Sequence, residues 1–359
     1  MIRLADYIIQ FLEKKGIDTV FTVSGGGSIF LCDALYKAKK IKYVACHHEQ
    51  AVAYAAEGYA RLKKSQGVAI ITTGPGGTNS VSGLVSSWID SVPVIFISGQ
   101  VYLNQTIGNK KVRQVGVQEF NIIDMVEKFT KYSKLVDDPN DILYHLEKAF
   151  ECSISGRPGP VWLDIPADIQ NAKIDPKKLN KYKSTPIKKK NNIIDSKIRK
   201  VANLFNKFNR PIIHFGHGVR ISESEKLAKK IINRHNIPFA LTWNASDLIE
   251  SSNKNYIGRP GAFAERGSNF IIQNCNLYIS IGTRLPFMVT GYNSKDFARK
   301  AYKVMVDIDN KELKNTNTKI DLKVNCDAKY FLKKLNEYLS KNIKIQNEWR
   351  VYCKAIRKK

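Results

Sequence analysis

The stretch from residue 42 to residue 64 most constrains the fold, because a single glutamate joins an apolar run to an alanine-rich segment. Residues 43 to 45 are typical of the end of a buried strand. From Glu49 onward the alanines give the chain a high helix propensity. Glu49 is therefore predicted at a strand-to-helix junction, in the first helical turn and beside His47 and His48.

Two interpretations of Glu49 follow from this position. A carboxylate in the first turn is favoured by the helix dipole, so Glu49 is explained as an ordinary helix-start charge. The alternative is a catalytic carboxylate, because open α/β proteins bind their ligands beyond the carboxyl ends of parallel strands. This stretch alone leaves both interpretations open.

Two glycine-rich turns are predicted at the same edge of the sheet as Glu49. Gly25, Gly26 and Gly27 follow one apolar run, and the segment from 73 to 79, Thr-Gly-Pro-Gly-Gly-Thr-Asn, follows another. Glycines let a backbone approach a ligand closely and expose helix amides, although a plain tight turn explains each segment equally well. Together with Glu49, the turns predict a site along one sheet edge.

The whole chain alternates apolar runs with helical segments, which predicts an α/β protein of two consecutive parallel-sheet domains. The first domain is predicted over residues 1–172, and a polar, proline-containing linker over 173–192. A Rossmann-like central domain is predicted over 193–340, followed by a basic C-terminal tail over 341–359. Asp307 and Asp309 end a strand of this domain, where they suit either a ribose-binding role or helix capping.

Composition excludes several classes of protein. The net charge of +26 comes mostly from lysines scattered through 359 residues, without the clustered pattern of a nucleic-acid-binding protein. The six cysteines show no CxxC pair, which argues against zinc or a disulfide framework and favours a reducing cytoplasm. The sequence shows no signal peptide and no membrane-length apolar run, so neither a membrane nor a nucleic acid is an expected partner.

Four separated motifs resemble those of thiamine-diphosphate-dependent enzymes of the acetolactate synthase type. In order they are HHEQAVAYAAEGYAR, TTGPGGTNSVSGLVSSWIDSVPVIFISGQV, GVQEF and RPGPVWLDIPADI. The resemblance covers roughly residues 1 to 335. It implies that the first domain is a pyrimidine-binding domain, and that the protein decarboxylates and ligates 2-oxo acids such as pyruvate.

The resemblance also implies roles for individual residues. In such enzymes the glutamate that matches Glu49 hydrogen-bonds the aminopyrimidine ring of the cofactor and promotes its activation as a nucleophile. Gln118 matches a glutamine near the substrate, and His48 is a candidate for proton transfer. The remaining predicted cofactor-binding residues are Gly25, Gly26, Gly74, Pro75 and Asn79.

Two departures from the family pattern limit what the resemblance implies. The segment GNKKVRQVGVQEF differs from the usual region before the glutamine, which leaves the substrate open, and GTRLP lacks the acids of many flavin-binding relatives, which leaves FAD open as a second cofactor. The chain also has no Gly-Asp-Gly motif and no glycine after Gly291. We therefore expect it to end where a diphosphate-binding domain would begin, with the Mg²⁺ ligands on another chain.

The expected partners follow from that missing half. The chain is predicted to form at least a homodimer, to pair with a separate chain that carries the diphosphate-binding domain, or both. The alternative is a truncated, non-catalytic remnant or an assembly module of the same family.

Overall fold

The computed structural model describes residues 1–184, 191–340 and 343–357. The chain divides into two compact units, Met1–Pro186 and Ile187–Lys359. Both units contain an all-parallel main sheet, which confirms the predicted α/β class.

The first unit alternates strands and helices along its length. Its strands are β1 (Ile2–Arg3), β2 (Thr19–Thr22), β3 (Lys42–Ala45), β4 (Gly67–Ile71), β5 (Val94–Gln100), β6 (Ser133–Leu135), β7 (Val161–Pro166) and β8 (Lys173–Ile174). Its helices are α1 (Leu4–Lys14), α2 (Ile29–Tyr36), α3 (Glu49–Lys63), α4 (Pro75–Asn79), α5 (Val81–Asp90), α6 (Ile122–Val126), α7 (Ile142–Ile154) and α8 (Ala167–Asn171).

The main sheet of this unit has the strand order β3-β2-β4-β5-β7-β6, with every neighbouring pair parallel. The chain leaves β2 for the edge strand β3 and returns to β4 on the other side of β2. The loops that follow β2 and β4 therefore diverge at a topological switch point, the place where open α/β sheets bind ligands.

Both faces of this sheet are buried. Successive residues of a strand point to opposite faces, and helices cover each face. Val68 and Ile70 of β4 pack into a core with α1, α2 and α7. Ala69 and Ile71 of the same strand pack into a second core with α3, α5 and α6.

The prediction that residues 43 to 45 end a buried strand is wrong. Among the described strands, β3 pairs with β2 alone and forms the edge of the sheet, and Tyr43 is 44% exposed. The helix that follows faces the core through Val52, Ala56 and Ala60, whereas Leu62 is exposed. The edge position of β3 explains why its pattern alone was misleading, since burial of a strand depends on its neighbours.

The second unit has the same alternation. Its strands are β9 (Pro211–Phe215), β10 (Phe239–Leu241), β11 (Leu277–Ile281), β12 (Tyr302–Asp307) and β13 (Leu322–Asn325). Its helices are α9 (Asn191–Lys207), α10 (His217–Ile221), α11 (Glu225–His235), α12 (Arg266–Asn274), α13 (Phe287–Thr290), α14 (Asn310–Asn315), α15 (Ala328–Tyr338) and α16 (Asn347–Ile356). The sheet order is β10-β9-β11-β12-β13, all parallel.

Two segments predicted to be non-core contribute buried side chains. Within the predicted linker, β8 pairs antiparallel with β1, and Ile174 and Leu179 lie in the core of the first unit. Residues 185–190 of that linker lie outside the described residues. Within the predicted tail, α16 buries Trp349 and Cys353 in the core of the second unit, because its apolar residues recur at helical spacing.

Candidate active site

Glu49 is the first residue of α3, as predicted. His48 caps this helix, and its Nδ1 accepts a hydrogen bond of 3.1 Å from the Gln50 backbone N–H. The Glu49 side chain is half-buried, and its Oε2 accepts a hydrogen bond of 3.0 Å from Asn79 Nδ2. The structure thus joins Glu49 to the second glycine-rich turn through Asn79, the last residue of α4.

The two glycine turns meet around Thr72. The Gly27 N–H donates a hydrogen bond of 3.2 Å to Thr72 Oγ1. A β-carbon added to Gly25 would lie 2.5 Å from the Thr72 β-carbon, and one added to Gly76 would lie 2.7 Å from Thr72 Cγ2. Gly76 also faces Glu49, since its added β-carbon would lie 3.6 Å from Oε1. Both turns therefore need glycine to close around one threonine.

Gly74 and Gln118 pack against each other in left-handed conformations. Gly74 has φ +57° and Gln118 has φ +62°. A β-carbon on Gly74 would lie 2.2 Å from the Gln118 carbonyl oxygen. Pro75 begins α4, where its fixed φ suits the first helical position. The turn thus brings the exposed Gln118 side chain into the loop cluster that contains Asn79.

Gly26 leaves open space at the same edge. No atom lies within 4 Å of the position that a β-carbon on Gly26 would take. The predicted site residues thus lie in the loops and first helical turns that follow β2, β3 and β4, or in the Gln118 segment, which packs against Gly74. The exposed His47 and His48 adjoin Glu49 in sequence.

A buried polar network lies behind these loops. The Thr73 hydroxyl donates to Gln100 Oε1, and Gln100 Nε2 donates to Asp164 Oδ2 at 3.0 Å and to the Phe120 carbonyl oxygen at 2.9 Å. Burial raises the pKa of Asp164 from its usual value to about 7. Thr72, Gln100 and Asp164 were not predicted as part of the site. Polar residues at or within apolar strand runs could have indicated them, because a buried polar group needs a hydrogen-bond partner.

The acids at the edge of the second sheet have local roles. Asp309 accepts a hydrogen bond of 2.8 Å from the Lys311 N–H and so caps α14, while Asp307 accepts one of 2.8 Å from the Asp309 N–H. The capping interpretation of Asp309 is therefore confirmed.

The described parts of the chain contain neither a metal-binding cluster nor a membrane-spanning helix. Within residues 1–184, 191–340 and 343–357, no group of three or more His, Cys, Asp or Glu side chains is arranged to hold a metal ion. Over the same residues, every helix is too short or too polar to cross a membrane.

Comparison with known families gives two matches in chain order. Residues 2–125 match the N-terminal TPP-binding domain of thiamine pyrophosphate enzymes. Residues 198–335 match the central domain of the same enzymes. The two matched segments fall in the two structural units and include Glu49, Asn79 and Gln118.

Individual relatives show the same similarity over nearly the whole chain. Acetolactate synthase isozyme 2 large subunit of Escherichia coli (strain K12) is 31% identical over 98% of this chain and 61% of its own length. A probable acetolactate synthase large subunit of Methanocaldococcus jannaschii is 32% identical, over 97% and 58%. The chloroplastic acetolactate synthase of Arabidopsis thaliana is 32% identical, over 93% and 49%. This chain therefore spans between about half and three-fifths of the length of these relatives.

Proposed function

The chain belongs to the thiamine pyrophosphate enzyme family, and we propose that it supplies the aminopyrimidine-binding half of an acetolactate-synthase-like active site. The observation that carries the proposal is the hydrogen bond between Glu49 and Asn79. This bond holds a carboxylate beside the second glycine turn, at the carboxyl edge of the first sheet, and so supports a ligand-binding role for Glu49. A helix-start charge alone would need neither Asn79 nor the glycines that face it.

The residues at this edge fit the ring of the proposed cofactor, thiamine diphosphate. Asn79 donates its hydrogen bond to Oε2 of Glu49, and Gly76, which faces Oε1, has no side chain that could cover this oxygen. Gly26 leaves open space at the opposite turn. A half-buried carboxylate with one oxygen available is the acceptor that a protonated ring nitrogen requires.

The proposed reaction is the decarboxylation of a 2-oxo acid such as pyruvate, followed by ligation to a second carbonyl compound. When bound, thiamine diphosphate supplies the nucleophilic carbon and the electron sink for this chemistry. Glu49 would accept a hydrogen bond from the pyrimidine ring and hold its proton, while Asn79 keeps the carboxylate oriented. Gln118 presents an exposed amide for the substrate. His48 caps α3, and its part in proton transfer stays a prediction.

The proposal assigns the diphosphate and its Mg²⁺ to residues outside this sequence. Two of the relatives are named large subunits, which supports an assembly of more than one chain. We therefore propose that the chain forms a homo-oligomer of at least two copies, pairs with a separate chain, or does both, and that a diphosphate-binding domain outside this sequence completes the site. The cytoplasm is the proposed compartment, since the six cysteines all lie in the described residues and form no disulfide there.

A flavin in the second unit is the weaker part of the resemblance, and the residues there do not support it. A β-carbon on Gly216 would lie 2.2 Å from the Gly282 carbonyl oxygen, so these glycines are explained by packing of one turn on another. Asp307 and Asp309 are engaged in local hydrogen bonds. We assign no step to FAD, and we expect the purified chain to lack flavin absorption.

The proposal is tested by reconstitution. The chain is combined with a polypeptide that carries the diphosphate-binding half, and pyruvate consumption and acetolactate formation are measured with and without thiamine diphosphate and Mg²⁺. We expect cofactor-dependent turnover that falls by about 10²–10⁴-fold in Glu49→Gln, because the amide cannot stabilise the protonated ring.

Glu127→Gln is the matched control, since Glu127 is an exposed glutamate of the same unit outside the site. It should keep the parent rate. Equal rates for Glu49→Gln and the parent would contradict the catalytic assignment. A stable assembly without cofactor-dependent turnover would instead favour the non-catalytic module.

A further inference from the structure

Asp164 lies behind the loops of the candidate site, in a fully enclosed part of the first sheet. It belongs to β7 and is 2% exposed. Its Oδ1 accepts a hydrogen bond of 2.5 Å from the Ser98 hydroxyl, and its Oδ2 accepts one of 3.0 Å from Gln100 Nε2. The Ser98 oxygen in turn accepts a hydrogen bond of 2.8 Å from Trp162 Nε1. Each of these groups is thus satisfied only in one orientation.

Asp164 is the inner end of a chain of hydrogen bonds that leads toward the site. Gln100 turns its NH₂ group toward Oδ2 of Asp164, and this oxygen accepts in the ionised and in the protonated carboxyl group because Ser98 faces the other oxygen. The Gln100 carbonyl oxygen then faces the opposite way, where it accepts a hydrogen bond of 3.0 Å from the Val101 N–H. The same oxygen accepts the Thr73 hydroxyl, which fixes that hydroxyl as a donor.

Gln100 holds two segments that adjoin Gln118, the turn at Gly74 and the chain at Phe120. Through Oε1 it binds Thr73, whose neighbour Gly74 packs against the Gln118 carbonyl oxygen. Through Nε2 it donates a hydrogen bond of 2.9 Å to the carbonyl oxygen of Phe120. The left-handed backbone of Gln118 is therefore held between two anchors of one buried amide.

We propose that Asp164 is a positioning residue that acts through Gln100 and Thr73 to hold the Gly74 turn and Gln118 at the rim of the site. The proposal rests on the proposed function in one respect, because it takes that rim to be the cofactor-binding edge. Its structural part, the control of the Gly74 turn by Asp164, concerns the chain alone. A buried polar network with a merely structural role would stabilise the unit without this directed effect on the loops.

The test compares removal of the carboxyl group of Asp164 with removal of its contact to Ser98. Asp164→Leu accepts no hydrogen bond, so Gln100 Nε2 loses its partner on β7. Ser98→Ala removes the other contact of Asp164 and leaves the Gln100–Thr73 bond in place. Amide hydrogen exchange is measured on the full chain without cofactor, in peptides that cover residues 73–79 and 116–120.

We expect Asp164→Leu to raise the exchange rate of those peptides by about tenfold or more relative to the rest of the unit. Ser98→Ala should lower overall stability but leave the exchange pattern of the loops unchanged. Unchanged loop exchange in Asp164→Leu, or an equal rise in Ser98→Ala, would overturn the proposal.

Thr73→Val keeps the proposal falsifiable if Asp164→Leu does not fold. Loss of the hydroxyl should raise exchange in the same two peptides, and Thr73→Ser, which retains the hydroxyl, should restore the parent rate. Ser153→Ala is the matched control for loss of a buried hydroxyl, since Ser153 Oγ bonds only within α7, to the Phe150 carbonyl oxygen at 2.7 Å.

A second measurement uses the reconstituted enzyme. Asp164→Leu should raise the KM for thiamine diphosphate by about tenfold with a smaller change in kcat, because the pocket is less often in its binding-competent form. If the parent shows no turnover but the loops respond as expected, the proposed function fails and the positioning assignment stands. Turnover of the parent together with unchanged loop exchange in the variants would support the proposed function and overturn the positioning assignment.

Discussion

The two units place glycines at the carboxyl edges of similar parallel sheets, but the glycines face different neighbours. In the first unit, Gly25 and Gly76 close around the side chain of Thr72, and Gly76 also faces the carboxylate of Glu49. In the second unit, Gly216 and Gly218 face the backbone of Gly282, and Gly216 also faces the β-carbon of Thr283. The glycines of the first unit thus close around a side chain beside a carboxylate, whereas those of the second unit pack against the turn at Gly282.

The acids at the two edges differ in the same way. Glu49 is oriented by a side-chain amide from another loop, Asn79, whereas Asp309 binds a backbone N–H two residues further along the chain. A site therefore requires convergence of side chains from separate loops, and glycines or acids after a strand do not by themselves provide it.

The largest effects should come from a matched pair of glycine substitutions. A β-carbon added to Gly74 would meet the Gln118 carbonyl oxygen at 2.2 Å, and one added to Gly216 would meet the Gly282 carbonyl oxygen at the same distance. We expect Gly74→Ala and Gly216→Ala each to lower the free energy of unfolding by about 3 kcal/mol, measured by urea denaturation.

Only Gly74→Ala should also lower the turnover of the reconstituted enzyme, by about 100-fold, because it displaces the Gln118 segment. Activity is measured well below the unfolding transition so that loss of folded protein does not contribute. A similar loss of turnover in Gly216→Ala would show that the second edge also serves the reaction, and the comparison would fail.

Each unit contains one buried titratable group, and the two groups should give the free energy of unfolding opposite dependences on pH. Burial raises the pKa of Asp164 from 3.8 to about 7, against the hydrogen bonds from Ser98 and Gln100, and the nearby Glu119 carboxylate adds to the rise. The folded state therefore favours protonated Asp164. Its contribution is fully present below pH 3.8 and is lost as the pH rises to about 7, at a cost of roughly 4 kcal/mol. Asp164→Asn should remove this fall in stability.

His214 has the opposite sign. Burial lowers its pKa from 6.5 to about 4, although the nearby Leu241 backbone acts against the shift, and its Nδ1 lies 2.6 Å from the Tyr278 hydroxyl. The folded state favours neutral His214, so its contribution is present above pH 6.5 and is lost as the pH falls to about 4, by roughly 3 kcal/mol.

Urea denaturation of the parent, Asp164→Asn and His214→Gln between these pH values separates the two contributions. We expect the pH slope of stability to change in opposite directions in the two variants. Slopes of the same sign would contradict the burial of one of the two groups.

The sequence predicted the local features of both units and missed those that depend on distant contacts. Glu49 was placed correctly at the start of α3, because helix propensity and strand pattern are local properties. Asp90 does not open a strand, since α5 continues through it and β5 begins only at Val94. Strand β13 was not predicted, because its four residues carry a weak pattern and acquire their pairing only from β12.

The candidate site shows the same limit. The glycine turns could be located from composition, but their closure around Thr72 joins residues 45 positions apart. The bond from Gln100 to Asp164 joins residues 64 positions apart, on neighbouring strands. No periodicity within one segment encodes which buried polar residues will meet, so such pairs emerge only when the sheet order is known.

The smallest effect should come from Gly26→Ala, and it tests whether the first edge is a ligand-binding surface. No atom lies near the position of the added methyl group, and the φ of Gly26 is not positive, so stability should change by less than about 0.5 kcal/mol. Gly58→Ala is the control, because it also adds a methyl group in open space, on the exposed face of α3. If the cofactor lies against Gly26, only Gly26→Ala should raise the KM for thiamine diphosphate, by severalfold at unchanged stability. An unchanged KM in both variants would show that the open space at Gly26 is solvent, and the site would then be confined to the loops around Glu49 and Asn79.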